Sequence, residues 1–412
     1  MKPFGPIPNG FVAQNGDLMI GGQSARALVD AAGDTPLFVY DMGMIEARVA
    51  ELRAALPPDV ALHYAMKANP YLPLVKAMVP LTDGIDIASG GELAVALTAG
   101  ADPTRVSFAG PGKRDDELAA ALKAGITINL ESEGEATRAL RIATEMGVRP
   151  RLAIRVNPDF DVKGSGMTMG GGAKPFGVDA VRVPALVAHL LAEGADWRGF
   201  HIFAGSQVLD AAALAQTQSE TLALAARLAE QAGTTPPHVN LGGGFGLRYF
   251  PGDQPLDLKA VGAALGTALR QRAASLRDTS FSIELGRYLV GEAGVYLTRI
   301  IDKKVSHGET FLITDGGMHH QLAASGNFGT VVRRNYPVAI ATRFGVSGDD
   351  EVVTINGCLC TPLDRLADKV LLPKADVGDL VAIFLAGAYG ASASPAAFLG
   401  HPAASEVLIN HH

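Results

Sequence analysis

Between residues 62 and 287 the chain alternates short apolar runs with longer Ala/Leu-rich segments, and few folds accept that rhythm. The runs are Leu62–Ala68, Gly84–Ser89, Arg105–Gly110, Ile126–Ser132, Arg151–Asn157, Phe200–Ser206, His238–Gly244 and Phe281–Arg287. Segments between them, such as Asp115–Ala124 and Ala211–Ala232, place apolar residues at helical spacing. Strand–helix alternation implies parallel pairing. Eight such units predict an α/β chain built on a (β/α)8 TIM barrel. Polar and glycine-rich residues gather at the ends of the runs: Lys67, Asp86, Ser206, Gly242–Gly244, Glu284 and Arg287. In this fold the strand C-termini form the active face, so these dispersed residues are expected at one mouth.

After residue 290 the rhythm changes. Val290–Ile301, Thr310–Thr314, Val352–Asn356 and Leu380–Phe384 read as strands without long helices between them, which predicts a mostly-β second domain. The expected division is a barrel over 36–287, with 1–35 and 288–412 forming the β-rich domain. The run Pro36–Tyr40 precedes the barrel and is a candidate to pair into that second domain. Gly164–Gly172 reads as a glycine- and methionine-rich loop. The 412 residues are 48% hydrophobic and carry a net charge of −7, enough for a large core and unfavourable for a nucleic-acid surface. No run is long and apolar enough to suggest a membrane span, and the first residues lack a signal core, so a cytoplasmic protein is expected. Cys358 and Cys360, read as alternate residues of a strand, point to opposite faces and are not expected to bridge. No metal site is expected.

Several positions invite chemistry. Lys67 ends the run His63-Tyr64-Ala65-Met66-Lys67-Ala68-Asn69; a lysine aimed into a barrel mouth suits a Schiff base with a carbonyl cofactor, although a strand-end lysine can also snorkel to solvent. Gly242-Gly243-Gly244 lets backbone N–H groups close on a phosphate, although such turns also occur without ligands. Glu284 could keep a pyridine nitrogen protonated and Arg287 hold a phosphate or carboxylate, or the two could form a structural pair. Cys360 is a candidate proton donor, with Asp364 binding a cation or orienting it, set against the commoner role of cysteine as a small core residue. Tyr389, among small residues, could reach a phosphate or simply fill a β core.

Together these motifs resemble the fold-type III decarboxylases dependent on pyridoxal 5'-phosphate (PLP), in the diaminopimelate and ornithine decarboxylase branch, over nearly the whole chain. The resemblance implies an alanine racemase-like barrel with a C-terminal β-barrel domain and a homodimer with shared active sites. Tyr64–Asn69 matches Y-A-x-K-A-N, so Lys67 would hold PLP covalently. Asp86–Leu93 matches D-x-x-S-x-G-E-L, placing Asp86 near the cofactor. Gly205-Ser206-Gln207 and Gly242–Gly244 would bind its phosphate, with Tyr389. Glu284–Arg287 matches E-P-G-R with Leu285 in place of proline; Glu284 would hold the pyridine nitrogen, and Gly286 and Arg287 belong to the cofactor site. Cys360 to Asp364 matches C-x-x-x-D, which in the family reaches the other subunit's site. Arg287, Thr361 and Asp364 are the candidate substrate contacts.

The departures bear on substrate. Phe203 stands where diaminopimelate decarboxylases have a histidine stacked on the cofactor, so the platform survives but any proton role does not. The R-P-x-L-Y element is missing after Asp315-Gly316-Gly317-Met318, where the chain reads His319-His320-Gln321. Thr361 replaces the acidic residue that holds a distal ammonium. Gly199–Gln207 and 315–329 resemble the decarboxylases associated with exosortase A and exopolysaccharide clusters, whose relatives in antibiotic pathways act on amino acids tethered to a carrier protein. The implied activity is a PLP-dependent carboxy-lyase acting on an amino acid or an aminoacyl group on an acyl carrier protein. Arg333 and Arg334 would meet a phosphopantetheine phosphate or an acidic carrier, or form a solvated pair. The alternatives are a diaminopimelate decarboxylase of lysine biosynthesis, an amino-acid racemase, and a non-catalytic PLP-binding homologue.

Overall fold

The computed structural model describes residues 1–160, 167–168, 170–326 and 333–411. It divides into two compact units: Val49–Gly246 with Pro255–Gly286, and Met1–Arg48 with Leu247–Gln254 and Arg287–His412.

The first unit is a closed barrel of eight parallel strands. In chain order they are Val60–Ala65, Gly84–Ile87, Val106–Phe108, Thr127–Leu130, Arg151–Asn157, Asp196–Ile202, His238–Asn240 and Ser280–Leu285. Each pairs with the next, and the last returns to the first through Phe281 to Leu285 against Val60 to Tyr64. Local chemistry sets the helices between them. Asp115–Ala124 begins with three acidic residues at its positive end and stops at Gly125, which adopts φ 74°. Ala211–Ala232 is capped by the Asp210 carboxylate and ends at Gly233, again left-handed. Ser89, within the D-x-x-S-x-G-E-L match, caps the helix Gly90–Thr98 by accepting from the Glu92 N–H.

The barrel interior is unusually polar. Asn129, Arg155, His201, Asn240, Ser282 and Glu284 are all buried, where such barrels more often stack branched aliphatic side chains. Burial of this kind requires mutual satisfaction. His238 bonds Ser280 Oγ at 2.9 Å and Ser282 Oγ at 2.8 Å. Arg155 reaches Glu131 at 2.9 Å, while Lys113 donates to Glu135 at 2.7 Å.

In the second unit, Gly294–Ser306 is the long central strand, pairing antiparallel with Glu309–Thr314, Leu380–Phe384 and Leu37–Asp41. Ser405–Ile409 lies parallel to Leu37–Asp41, and Asp350–Asn356 pairs with Arg365–Pro373. Leu37, Val39, Val295, Leu297, Leu380, Ala382 and Phe384 form its core with Leu18, Ile20 and Leu28 from the N-terminal segment.

Three expectations change. The boundary expected at residue 36 falls after Arg48, because Leu37–Asp41 is sewn into the β-rich unit by ladders on both edges. Leu247–Gln254 also leaves the barrel for the second unit. Cys358 and Cys360 occupy a turn after Asp350–Asn356 rather than a strand, and both are free thiols. Most of the loop Gly164–Gly172 lies outside the described residues.

Candidate active site

The first barrel strand delivers Lys67. Its Tyr64 is buried and its hydroxyl donates to the Asn69 carbonyl at 2.8 Å, which closes the short turn Met66–Ala68. Met66 and Ala68 point into the core, and Lys67 between them is exposed. The lysine is therefore not a buried ammonium; the turn presents it to solvent at the strand's C-terminal end, with Nζ 5.4 Å from the centre of the Phe203 ring. Gly286 makes this turn possible from the eighth strand's end, since a β-carbon there would press on Ala68 and on the Ala65 carbonyl.

The second strand carries Asp86, buried at its C-terminal end. One carboxylate oxygen lies 3.2 Å from His63 Nδ1, and the other is buried with no hydrogen-bond partner. Burial, the largest single influence, opposes the protonated form of His63, but the charge and hydrogen bond of Asp86 together with the charges of Glu284 and Asp83 outweigh it and raise the imidazole's pKa. An orphaned carboxylate oxygen at the active face signals a missing partner.

The eighth strand carries Glu284, which is 6% exposed. Asn240 Nδ2 donates to its Oε2 at 3.0 Å. His201 Nε2 lies 2.9 Å from the same oxygen, a charge contact whose angle falls short of a directed hydrogen bond. Burial works against the carboxylate, yet His201, Lys67 and Arg155 prevail and hold its pKa well below the usual range. Glu284 is thus ionised at neutral pH within the barrel's buried polar layer, a strong local anion.

The seventh strand ends in the glycine turn. Gly242 and Gly244 take φ 70° and 82°, and a β-carbon on Gly243 would run into the Glu284 carbonyl. The Gly242 N–H is held by Asn240 Oδ1 at 2.8 Å, and the Gly244 carbonyl accepts from the Val208 N–H at 2.9 Å. These bonds tie the turn to the segment Gly205–Val208, which includes Ser206. The barrel thus collects Lys67, Asp86, Phe203, Ser206, Gly242–Gly244, Glu284 and Gly286 on the C-terminal side of its strands.

The remaining candidates belong to the β-rich unit. Arg287 starts the short helix Arg287–Val290, with its guanidinium 4.9 Å from the Tyr389 ring centre and 5.8 Å from that of Tyr249. Burial disfavours its charge, but Tyr249, Tyr389 and Tyr336 more than compensate. Cys360 is exposed and Thr361 half-buried in one turn. Asp364 is 1% exposed; its two oxygens accept from the Met318 and Leu359 N–H groups at 2.6 and 2.8 Å. Asp364, the expected substrate contact, thereby shapes the Cys360 turn. Of Arg333 and Arg334, Arg333 turns inward onto the Arg365 carbonyl, while Arg334 stays exposed with its guanidinium 3.6 Å from the Phe250 ring centre.

Sequence reasoning missed His201, Asn240 and His63, and in the other unit Tyr249 and Tyr336. The signal was present for the first three, since each is a polar residue within a barrel strand and such residues need a buried partner.

PLP fits the barrel's residues on structural grounds: an amine beside an aromatic platform, a glycine turn packed too closely on neighbouring backbone to admit a β-carbon, an ionised buried glutamate and an aspartate oxygen without a partner. Residues 42–291 match the family described as "Pyridoxal-dependent decarboxylase, pyridoxal binding domain". The L-glutamyl-[BtrI acyl-carrier protein] decarboxylase of Niallia circulans is 37% identical, covering 91% of this chain and 89% of the relative. The diaminopimelate decarboxylase of Methanothermobacter thermautotrophicus is 31% identical, covering 98% of this chain and 93% of its own length. Among solved structures, the diaminopimelate decarboxylase of M. jannaschii in complex with L-lysine superposes with a TM-score of 0.87 at 26% identity, covering 97% of this chain and 92% of that one.

Proposed function

The chain belongs to the pyridoxal-dependent decarboxylases, and from that premise we propose that it removes CO2 from an aminoacyl group carried on an acyl carrier protein. That it is a PLP-dependent carboxy-lyase acting on amino-acid substrates follows from the family. The racemase and non-catalytic readings are set aside on the same ground. The carrier-bound substrate, the shared dimer site and the individual residue roles are our reading.

Lys67 Nζ would supply the amine that holds the cofactor. Phe203 gives the ring a face to lie on. Gly242–Gly244 and Ser206 cradle the phosphate. Arg287 and Tyr389 act together as an anion-binding pair. Bound PLP supplies an electron sink for the pair released when the α-carboxylate leaves. Glu284 keeps a proton on the pyridine nitrogen, and His201 and Asn240 fix its carboxylate for that task. In a homodimer with shared sites, Cys360 of the partner subunit returns a proton to Cα.

The observation that carries the substrate reading is the turn beside Cys360. A free diamine or diamino acid needs a carboxylate for its distal ammonium. Here the position after the cysteine is Thr361, and Asp364 is committed to two backbone N–H groups. The relative from Niallia circulans, named for an L-glutamyl group on a carrier protein, supports the same reading.

The test is CO2 release from three substrates: L-glutamyl carrier protein, free L-glutamate and diaminopimelate. The carrier-bound substrate should be preferred, and diaminopimelate should be poor, because each lost charged hydrogen bond costs about 1.5–3 kcal/mol. A kcat/KM for diaminopimelate around 10⁴ M⁻¹s⁻¹ or above, in the range of efficient enzymes, would replace this reading with that of lysine biosynthesis.

A further inference from the structure

Three residues distant in sequence meet within the β-rich unit. His319 lies in the loop after Glu309–Thr314, Cys358 in the turn after Asp350–Asn356, and His401 in the segment before Ser405–Ile409. Their ligand atoms all lie within 4.8 Å of one another, and Cys358 Sγ is 3.8 Å from His401 Nδ1. With Zn–S of about 2.3 Å and Zn–N of about 2.0–2.1 Å, a tetrahedral ion spans S···N edges of roughly 3.5 Å.

The independent observation is His319. Its side chain is fully buried, yet neither ring nitrogen has a hydrogen-bond partner. The neighbouring His320 shows what satisfaction looks like here: Nδ1 contacts the Tyr296 hydroxyl at 3.0 Å and Nε2 the Pro402 carbonyl at 2.8 Å. A buried imidazole with both nitrogens idle costs free energy unless something binds it. The His319 and His401 rings are 5.3 Å apart, close enough to share a ligand.

We propose that His319, Cys358 and His401 bind a divalent ion of the zinc class, leaving a fourth position to water. One thiolate and two imidazoles are a donor set that prefers zinc to magnesium or calcium. On binding, the Cys358 thiol gives its proton to solvent and the ion takes the thiolate. The bound ion ties the turn that carries Cys360 to the segment leading into the last strand. This inference is independent of the substrate reading and departs from the expectation that no metal binds.

The test uses the full-length protein, stripped with a chelator and titrated with cobalt(II), each spectrum read as a difference from the stripped sample. About one cobalt(II) per chain should bind, with a near-ultraviolet sulfur-to-cobalt band that zinc(II) abolishes. Cys360→Ser should keep the band and Cys358→Ser should lose it. His401→Asn should weaken cobalt binding by more than about 10-fold. The wild-type band needs no variant to fold, so its absence overturns the proposal. A band that persists in Cys358→Ser overturns it equally.

Discussion

A carboxyl group enclosed by a barrel normally takes up a proton rather than stay charged, and Glu284 escapes that fate through its neighbours. Its depressed pKa means that its charge is present at neutral pH and is lost only as pH falls through that low value. Removing His201 removes the strongest opposing influence, so His201→Gln should move the acidic limb of the kcat/KM profile to higher pH. A limb that stays in place would show that His201 does not govern the charge. Glu284→Gln should lower kcat by roughly 10²-fold or more while the cofactor remains bound. Lys67→Ala should bind the cofactor without becoming labelled on borohydride reduction, as intact-mass measurement would reveal. Lys67 and Glu284 were legible because each stands in a contiguous motif. His201 and Asn240 showed only as polar residues within strands; their partner, Glu284, is identified only once the sixth, seventh and eighth strands lie side by side. The structural part of Asp364 was hidden for the same reason: the N–H groups it accepts from belong to Leu359, nearby in sequence, and to Met318, which is distant.

The eight barrel strands were legible because their apolar runs recur with helical segments between them. Val338–Ile340, Arg365–Pro373 and Ser405–Ile409 were not, because pairing in the β-rich unit, antiparallel for the first two and parallel for the third, follows no repeating strand–helix rhythm. The polar layer inside the barrel has a measurable signature. His238 is held to about 3, chiefly by burial and also by the His63 charge. Below about pH 6.5 the unfolded chain therefore binds a proton that the native state refuses, and stability falls as pH drops. From pH 6.5 to 5 this group should cost about 2 kcal/mol. His238→Gln should flatten that slope in urea unfolding, whatever its effect at pH 7. His63 has the opposite sign, since its raised value contributes stability that is lost as pH climbs above 6.5. At the glycine turn, Gly243→Ala should destabilise by about 1–3 kcal/mol, because the Glu284 carbonyl occupies the space the methyl needs.

For the whole molecule, the decisive experiment is complementation. If two subunits share each site, mixing inactive Lys67→Ala and Cys360→Ala proteins should restore about a quarter of wild-type activity, since half the dimers are mixed and each mixed dimer has one intact site. Mixed dimers that form and remain inactive would refute a shared site. The order of the two units was legible in outline, and Pro36–Tyr40 stood out as a candidate to pair into the β-rich unit; its partners there lie more than 250 residues away. That pairing sets a timetable for synthesis. The barrel is complete once Gly286 has been made, while the sheet begun at Leu37 waits for Ser405–Ile409. At 5–20 residues per second, a flank of Leu37–Asp41 stays open for roughly 20–70 s as the nascent chain lengthens. During that interval the strand is an unpaired edge, the point at which a slow ribosome or a second nascent chain can divert folding.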